Sequence, residues 1–359
     1  MKSDFIVIGG GIAGTSAAAR LSALGRVVLL EAEEALGYHA SGRSAAMFEE
    51  NYGTDAVVAL NRASADYHHS ANGGYLTPRG FMLVAGPGEE QQFTSDIKDL
   101  HLEPISIEDA LDRVPILNPK TVTHAGLHQA AQDLDTDRMI QDFAKVLRAA
   151  GGSVVTRATV TGITRSGAGW LVTTADTTYE AAQIVNAAGA WVDEIAVLAG
   201  VSPIGIQPRR RSMARLPAPG GHDVSTWPML MGVGETWYAK PDAGKLLVSP
   251  ADADLVTPHD AYADDMVLAE GLARYEERVT TPVTRVESNW AGLRSFAPDG
   301  NLVLGPDPDQ PDFIWCAAQG GYGFQTAPAA SQLLADILGG TSSLFDTETL
   351  VALSPQRLR

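Results

Sequence analysis

One stretch at the start of the chain restricts the fold more than any other. Phe5-Ile-Val-Ile8 leads into Gly9-Gly-Gly11-Ile-Ala-Gly14, an alanine-rich run to Ala23, and Val27-Val-Leu-Leu30 ending at Glu31. Continuous apolar runs mark parallel strands buried on both faces. The run Ala13 to Ala23 favours helix, with Gly25 as its expected C-terminal stop. The order strand, glycine turn, helix, strand is a βαβ unit carrying a GxGxxG spacing. Gly9 permits the tight turn, Gly11 lets backbone approach a pyrophosphate, and Gly14 lets helix and strand pack closely. Phosphates are favoured at the helix N-terminus by its free N–H groups and dipole. Glu31 ends the second strand, placed to accept hydrogen bonds from ribose hydroxyls and to repel the extra phosphate of NADP. The expectation is an α/β dinucleotide-binding domain with Gly9, Gly11, Ile12, Ala13, Gly14, Glu31 and Ala32 around the nucleotide.

The rest of the chain must build on that unit. With 359 residues there is room for two domains at ~150 residues each. A hydrophobic share of 45% against 19% charged argues for a full core and against disorder. The net charge of -17 disfavours nucleic acid and anionic lipid as partners, so an anionic substrate needs locally built positive charge. Cys316 is the single cysteine, so neither an intrachain disulfide nor a CxxC metal site is available. Histidines show no metal-binding spacing, so no metal is expected. No run approaches the ~20 apolar residues of a membrane span. Phe5 to Ile8 is too short for a signal-peptide core. The expectation is a cytoplasmic protein.

Further along, residues 34–54 read as irregular and rich in Gly and Ser. Leu76 to Val84 reads as strands broken at Pro78-Arg-Gly80, and 133–151 as a helix capped by Asp135 or Thr136. Trp170 to Thr174 against Thr178 to Glu180 reads as a hairpin, and Ile184 to Gly189 as another buried strand entering a turn. A second hairpin is expected over Tyr238 to Ser249, turning at Asp242-Ala-Gly244. Phe313 to Ala318 feeds the turn Gln319-Gly-Gly-Tyr-Gly323, with a helix from about Ala327 to Leu338. An NAD enzyme usually continues with regular βα repeats, whereas this chain enters the loop Gly37 to Ala46. A Gly/Ser/Arg-rich loop there suits the longer FAD, which needs extra backbone donors. FAD is therefore the expected cofactor.

Seven collinear stretches carry a family resemblance: VIGGGIAG at 7–14, GYHASGRSAA at 37–46, VNAAGAW at 185–191, PRRRS at 208–212, WYAKPDAG at 237–244, WAGLRSF at 290–296 and AAQGGYGFQT at 317–326. With them the chain resembles the D-amino-acid oxidase-like flavoprotein superfamily, most closely the D-arginine dehydrogenase type. The resemblance implies a doubly wound, Rossmann-like FAD-binding domain (1–75, 130–200 and 290–359) interleaved with a mixed-sheet substrate domain (76–129 and 201–289). It implies noncovalent FAD held also by Ser41, Gly42, Arg43, Ser44, Ala45, Ala46, Ala188, Gly189, Trp191, Gly292, Arg294, Gly320, Gly321, Tyr322, Gly323, Phe324 and Gln325. Cys316 stands where related enzymes have an apolar residue, so it reads as core rather than as a flavin attachment point.

Residue by residue, Arg211 and Arg294 match the family's carboxylate-binding positions, a task suited to planar bidentate donors. Arg209 and Arg210 read instead as solvated surface charge. Tyr52 and Tyr238 match tyrosines near that carboxylate, Tyr52 on a loop fit to act as a lid. Met229, Met231, Tyr322 and Gln325 would line the pocket or the flavin face. Two positions depart from the arginine-acting pattern: Met47 replaces a His, and Phe81 replaces a Glu that would pair with a guanidinium. The implied reaction is hydride transfer from the Cα of a D-amino acid to flavin N5, giving an imino acid that hydrolyses to a 2-oxo acid and ammonia. An apolar side chain is favoured over D-Arg. Oxygen or a quinone-like acceptor would reoxidise the flavin. The alternatives are an NAD-dependent dehydrogenase, a flavin amine or 2-hydroxy-acid oxidoreductase, and a flavin-binding protein without catalysis.

Overall fold

The computed structural model describes residues 2–167 and 169–359. Its first large sheet grows from the opening βαβ unit. Lys2–Ile8 pairs in parallel with Val27–Leu30 on one side and Thr178–Asn186 on the other. Ser153–Val155 and Phe313–Ala317 extend the parallel array at its two ends. Val160–Ser166, Gly169–Thr174 and Val303–Pro306 add antiparallel pairs. Side chains of a strand alternate between faces, and the first strand uses both for core. Phe5 and Val7 pack with Ala17, Leu21, Leu147, Leu333 and Leu334 from the helices Ile12–Leu21, Thr136–Ala149 and Gly323–Gly339. Ile6 and Ile8 pack with Val192 and Ile195 of the helix Val192–Leu198 on the other side. This is the expected α/β architecture, with the parallel sheet covered on both faces.

The second large sheet runs in the order Ser288–Phe296, Gln207–Leu216, Lys245–Ser249, Tyr238–Asp242, Met229–Gly232, Phe81–Ala85, His124–His128 and Glu103–Ile105. One face carries Met82, Leu230, Ala239, Ala214 and Val248 against Leu268 and Tyr275 of the helix Asp265–Glu276. The opposite face carries Phe81, Met231, Tyr238, Met213 and Leu247, and meets Ala45, Met47 and Trp290. A third, small sheet joins Met47–Phe48, Gln132–Leu134 and Leu76–Pro78 between the two.

The hairpin at 238–249, the strands around Pro78 and Asp135 as helix cap agree with the sequence reading. Other boundaries differ for identifiable reasons. The first helix stops at Leu21 with Ser22 as its cap, and Gly25 is not left-handed. Gly25 is small because a Cβ there would lie 2.7 Å from an Asp4 carboxylate oxygen. The last long helix begins at Gly323 rather than near Ala327, so the glycine turn is itself the helix start. Residues 133 and 134 are strand, pairing with Met47 and Leu76, and the helix starts at Thr136. The nominally irregular 34–54 segment contributes that short Met47–Phe48 strand. The hairpin strand from Thr178 and the buried strand to Asn186 are one continuous element, its two halves pairing different partners. Ser288–Phe296 lies wholly in the second sheet, so a boundary at 290 falls inside a strand.

Candidate functional site

Three adjoining cavities lie between the sheets. The first, of about 580 Å³, opens at the glycine turn and is lined by Gly9, Gly11, Glu31, Ala32, Ser41, Arg43, Ala188, Gly189, Trp191 and Gly292 among others. The second, of about 160 Å³, shares Gly11, Ser41, Arg43, Gly189 and Gly292 with it. Ile12, Ala13, Ser44, Ala45, Ala46, Gly320, Gly321, Gly323, Phe324 and Gln325 complete much of its wall, beside Cys316. The third, of about 90 Å³, shares Ala45, Ala46, Met47, Tyr238, Arg294 and Gln325 with the second. Shared walls make these one path, from the glycine turn to a small end chamber.

The path suits an extended dinucleotide. Ile12 N–H donates to Ser41 Oγ at 3.0 Å, fixing the loop over the helix start. A Cβ on Gly189 would meet nothing within 4 Å, so this left-handed residue opens the wall. Among the described residues the buried His39 Nδ1 has no hydrogen-bond partner, an Asp260 oxygen lying 3.8 Å away, while Nε2 lies 2.9 Å from Glu33 and the ring rests on Trp191 at 4.7 Å. Glu31 accepts from Gly10 N–H at 2.6 Å and from Glu33 N–H at 2.8 Å, fixing its carboxylate on the wall. These groups fit FAD: an open helix N-terminus for the pyrophosphate, a fixed carboxylate for ribose, and a polar atom awaiting a partner. Gly14 and Gly42 do not line the path. A Cβ on Gly14 would lie 1.8 Å from Gly9 O, and one on Gly42 2.4 Å from Gly37 O, so both serve chain packing.

The end chamber is built on one face of the second sheet. Directly opposed residues of neighbouring strands face the same way. The pairs His128 with Phe81, Phe81 with Met229, Met231 with Tyr238, and Arg211 with Gly292 therefore form one surface. Phe81, Met229, Met231, Met47, Tyr52, Tyr238 and Arg294 all line the chamber. Arg211 lies just outside it, on the second cavity. Tyr322 lines none of the three cavities. Its ring sits edge-on to Tyr52 at 5.4 Å and to Phe296 at 6.2 Å, bracing Tyr52 from behind the chamber. Arg210 is not a solvated charge: it pairs with Asp252 at 3.1 Å and Asp254 at 2.7 Å, with its side chain only 14% exposed. Cys316 is buried in the core.

The sequence reading overlooked Glu235. Its carboxylate binds Arg211 Nη1 at 2.6 Å, lies 3.5 Å from Arg294 Nη1, and accepts from the Tyr52 hydroxyl at 3.2 Å. Glu235 holds a left-handed backbone (φ +53°) in the turn between Met231 and Tyr238. Burial alone would raise its pKa, but Arg211 and Arg294 overcome this and hold the carboxyl below its usual range. Burial opposes charge on Arg294 too; Tyr52, Tyr238 and Glu235 outweigh it and keep the guanidinium charged. Burial pushes the Tyr52 phenol up to about 12. Both arginines and both tyrosines thus converge, with a carboxylate already among them. The only signal in the sequence was position, since Glu235 sits between Met231 and Tyr238, two residues already assigned to the site.

Glu49 and His128 were also missed as a pair. Glu49 lines the chamber, and its Oε2 lies 2.5 Å from His128 Nδ1. Lys240 reaches Asp133 and the Ala46 carbonyl, each at 2.8 Å, and pins the loop beside Met47.

A parallel-sheet dinucleotide path ending in a small charged chamber is the build of a flavin-dependent oxidoreductase. The chain belongs to the DAO family of FAD dependent oxidoreductases, whose model matches residues 4–337. It is 26% identical over 368 residues to glycine oxidase of Pseudomonas putida, covering 96% of this chain and 97% of that protein. It is 29% identical over 175 residues to FAD-dependent oxidoreductase domain-containing protein 1 of Bos taurus, covering 44% of this chain and 36% of that protein. Among solved structures, glycine oxidase from Geobacillus kaustophilus matches with a TM-score of 0.81 at 20% identity, covering 96% of each chain. L-alpha-glycerophosphate oxidase from Mycoplasma pneumoniae, with FAD bound, matches with a TM-score of 0.83 at 18% identity, covering 96% of this chain and 100% of that one. FAD is the cofactor. No described helix is long and apolar enough to cross a membrane.

Proposed function

We propose that this FAD-dependent oxidoreductase oxidises a D-amino acid with an apolar side chain. The observation that carries the reading is the convergence of Arg294, Arg211, Tyr52 and Tyr238 at the end of the cofactor path, facing an apolar wall. Arg294 and Tyr238 fix the substrate carboxylate, Arg211 supports the cluster, and Tyr52 closes over it. Fixing the carboxylate orients Cα toward the cofactor, which lowers the barrier through geometry. Bound FAD supplies the hydride acceptor, the product being an imino acid that water hydrolyses to a 2-oxo acid and ammonia. The amine reacts neutral, so no strong side-chain base is required where Met47 stands in place of a histidine. FAD is held noncovalently. Oxygen or a quinone-like acceptor takes the electrons.

The D configuration rests on the motif likeness to D-arginine dehydrogenase-type enzymes. The apolar preference rests on Phe81, Met47, Met229 and Met231. Within this reading the FAD-binding part comprises 1–75, 130–200 and 297–359, and the substrate part the remainder.

Glu235 favours a second reading. A carboxylate already neutralising the arginines suits a substrate whose own carboxylate is dispensable, such as an amine. Anaerobic mixing with D-amino acids, L-amino acids and simple amines separates the two. Flavin bleaching by D-Leu or D-Met supports the first reading; bleaching by amines alone overturns it.

A further inference from the structure

The substrate chamber holds an ion-pairing dyad that the proposed chemistry leaves unused. Glu49 lines the chamber beside Phe81 and Met229, yet its side chain is only 6% exposed. Its Oε2 meets His128 Nδ1 at 2.5 Å, and its Oε1 accepts from Asn51 N–H at 3.3 Å. The Glu49 amide donates to Gln325 Oε1 at 2.6 Å, which ties this residue to the first turn of the Gly323–Gly339 helix. His128 stands directly opposite Phe81 in the second sheet and extends the row of chamber residues. A nearly buried carboxylate beside the apolar residues Phe81, Met47 and Met229 therefore has an imidazole as its nearest ionisable partner.

We infer that Glu49 determines side-chain specificity, and that His128, as its positioning partner, sets whether the pocket wall presents a compensated or a free negative charge. This rests on reading the chamber as the amino-acid site. With His128 protonated, the pair is neutral and an apolar side chain meets a wall without net charge. With His128 neutral, Glu49 is an unpaired buried anion, a costly arrangement that a cationic side-chain tip relieves. The groups facing His128 are Glu49 from the loop, Glu50 beside it, and Glu103 from the neighbouring strand. The hydrogen bond that His128 donates to Glu49 raises the imidazole above its ordinary range, and burial opposes it. Arg113, at the end of the helix Ile107–Arg113 between these two strands, is engaged with Gln129. Glu49 itself shares the chamber with Arg294, Glu235, Tyr52 and Tyr238, while Lys240 and Arg79 are paired with Asp133 beside Met47.

The test is the ratio of kcat/KM for D-Lys over D-Met, followed across roughly pH 6 to 9, the range in which a raised histidine titrates. The ratio cancels titrations of the flavin and of the α-amine common to both substrates. In the wild-type holoenzyme it should rise on the order of tenfold with pH, which corresponds to about 1.4 kcal/mol. In Glu49→Gln it should be flat, and in His128→Gln it should be high throughout. A second readout is independent of turnover: the His128 imidazole, followed by NMR, should titrate at lower pH in Glu49→Gln. A flat ratio in a turning-over wild-type enzyme, or an unchanged slope in Glu49→Gln, overturns this inference alone. Absence of flavin bleaching by any amino acid overturns the underlying reading with it. If Glu49→Gln fails to fold, the wild-type and His128→Gln curves still decide.

Discussion

At the scale of single residues, the arginines were legible and their counter-charge was not. Arg211 and Arg294 stand out because a charge inside an apolar strand pattern needs a reason. Glu235 and Glu49 sit in turns and loops, where a carboxylate is unremarkable, and only tertiary proximity reveals their roles. That proximity ranks the arginines. Arg211 is bound to Glu235 and donates to the Asp252 carbonyl at 2.8 Å, whereas Arg294 faces the chamber. Truncating a buried charged hydrogen-bond partner costs about 2–5 kcal/mol. This is a fall of ~30- to 4,000-fold in kcat/KM at tenfold per 1.4 kcal/mol. Arg294→Ala should lie toward the upper end and Arg211→Ala toward the lower, with little change in the flavin spectrum. Equal wild-type kinetics in both variants would remove the cluster from substrate binding. Phe81 supplies a second residue-scale prediction. A cation facing Phe81 loses hydration without a counter-charge from that side, while an apolar group gains ~25 cal/mol per Å² buried. Phe81→Glu should shift the kcat/KM preference toward D-Arg. If wild type already prefers D-Arg by more than about tenfold, roughly 1.4 kcal/mol, Glu49 has taken over that role.

At the scale of elements, the opening βαβ unit was readable because its glycines answer distinct steric demands. Gly9 is left-handed (φ +107°), and a Cβ there would sit 2.4 Å from Ala187 O. A Cβ on Gly14 would lie 1.8 Å from Gly9 O, whereas one on Gly11 would meet nothing closer than Ser41 Oγ at 3.1 Å. The two conserve different things: Gly14 the contact of helix and turn, Gly11 the open approach for pyrophosphate. Gly11→Val should therefore purify as a folded protein with little flavin, its apo thermal midpoint near that of the wild-type apoprotein. Gly14→Ala should lower the apo midpoint itself, since overpacking a tight contact costs about 1–3 kcal/mol or more. Flavin content from the visible spectrum and thermal melts of both apoproteins check this. A Gly11→Val protein with full flavin occupancy would take this turn out of the cofactor site. The helix at Gly323 was misplaced in the sequence because glycines usually end helices rather than start them. Here a small residue is needed: a Cβ on Gly323 would press Ile12 and Gln319 at 3.3 Å.

At the scale of the whole molecule, the sequence does not disclose how distant segments brace one another, because such contacts have no local period. Helix Asp55–Ser70 packs along Gly323–Gly339, and its His68 is fully buried. His68 Nε2 bonds the Gln325 carbonyl at 2.8 Å, while Nδ1 has no partner among the described residues. Gln325 in turn holds Glu49, so this histidine braces the elements that frame the chamber. Burial pushes the His68 imidazole down to about 4, with the Gln325 bond opposing it. The unfolded chain, with an ordinary histidine near 6.5, then binds a proton more readily than the folded one. This stability is complete above about pH 6.5, declines as pH falls, and is exhausted near pH 4, where both states are protonated. The shift corresponds to about 3 kcal/mol at 1.36 kcal/mol per pKa unit. Urea unfolding at a series of pH values should show wild type losing that increment across this window. His68→Gln should start less stable at neutral pH and show a correspondingly shallower acid slope. Carboxylates titrating in the same range contribute equally to both proteins, so the difference between the two curves isolates the histidine. Parallel curves would mean that His68 is not held neutral in the folded protein.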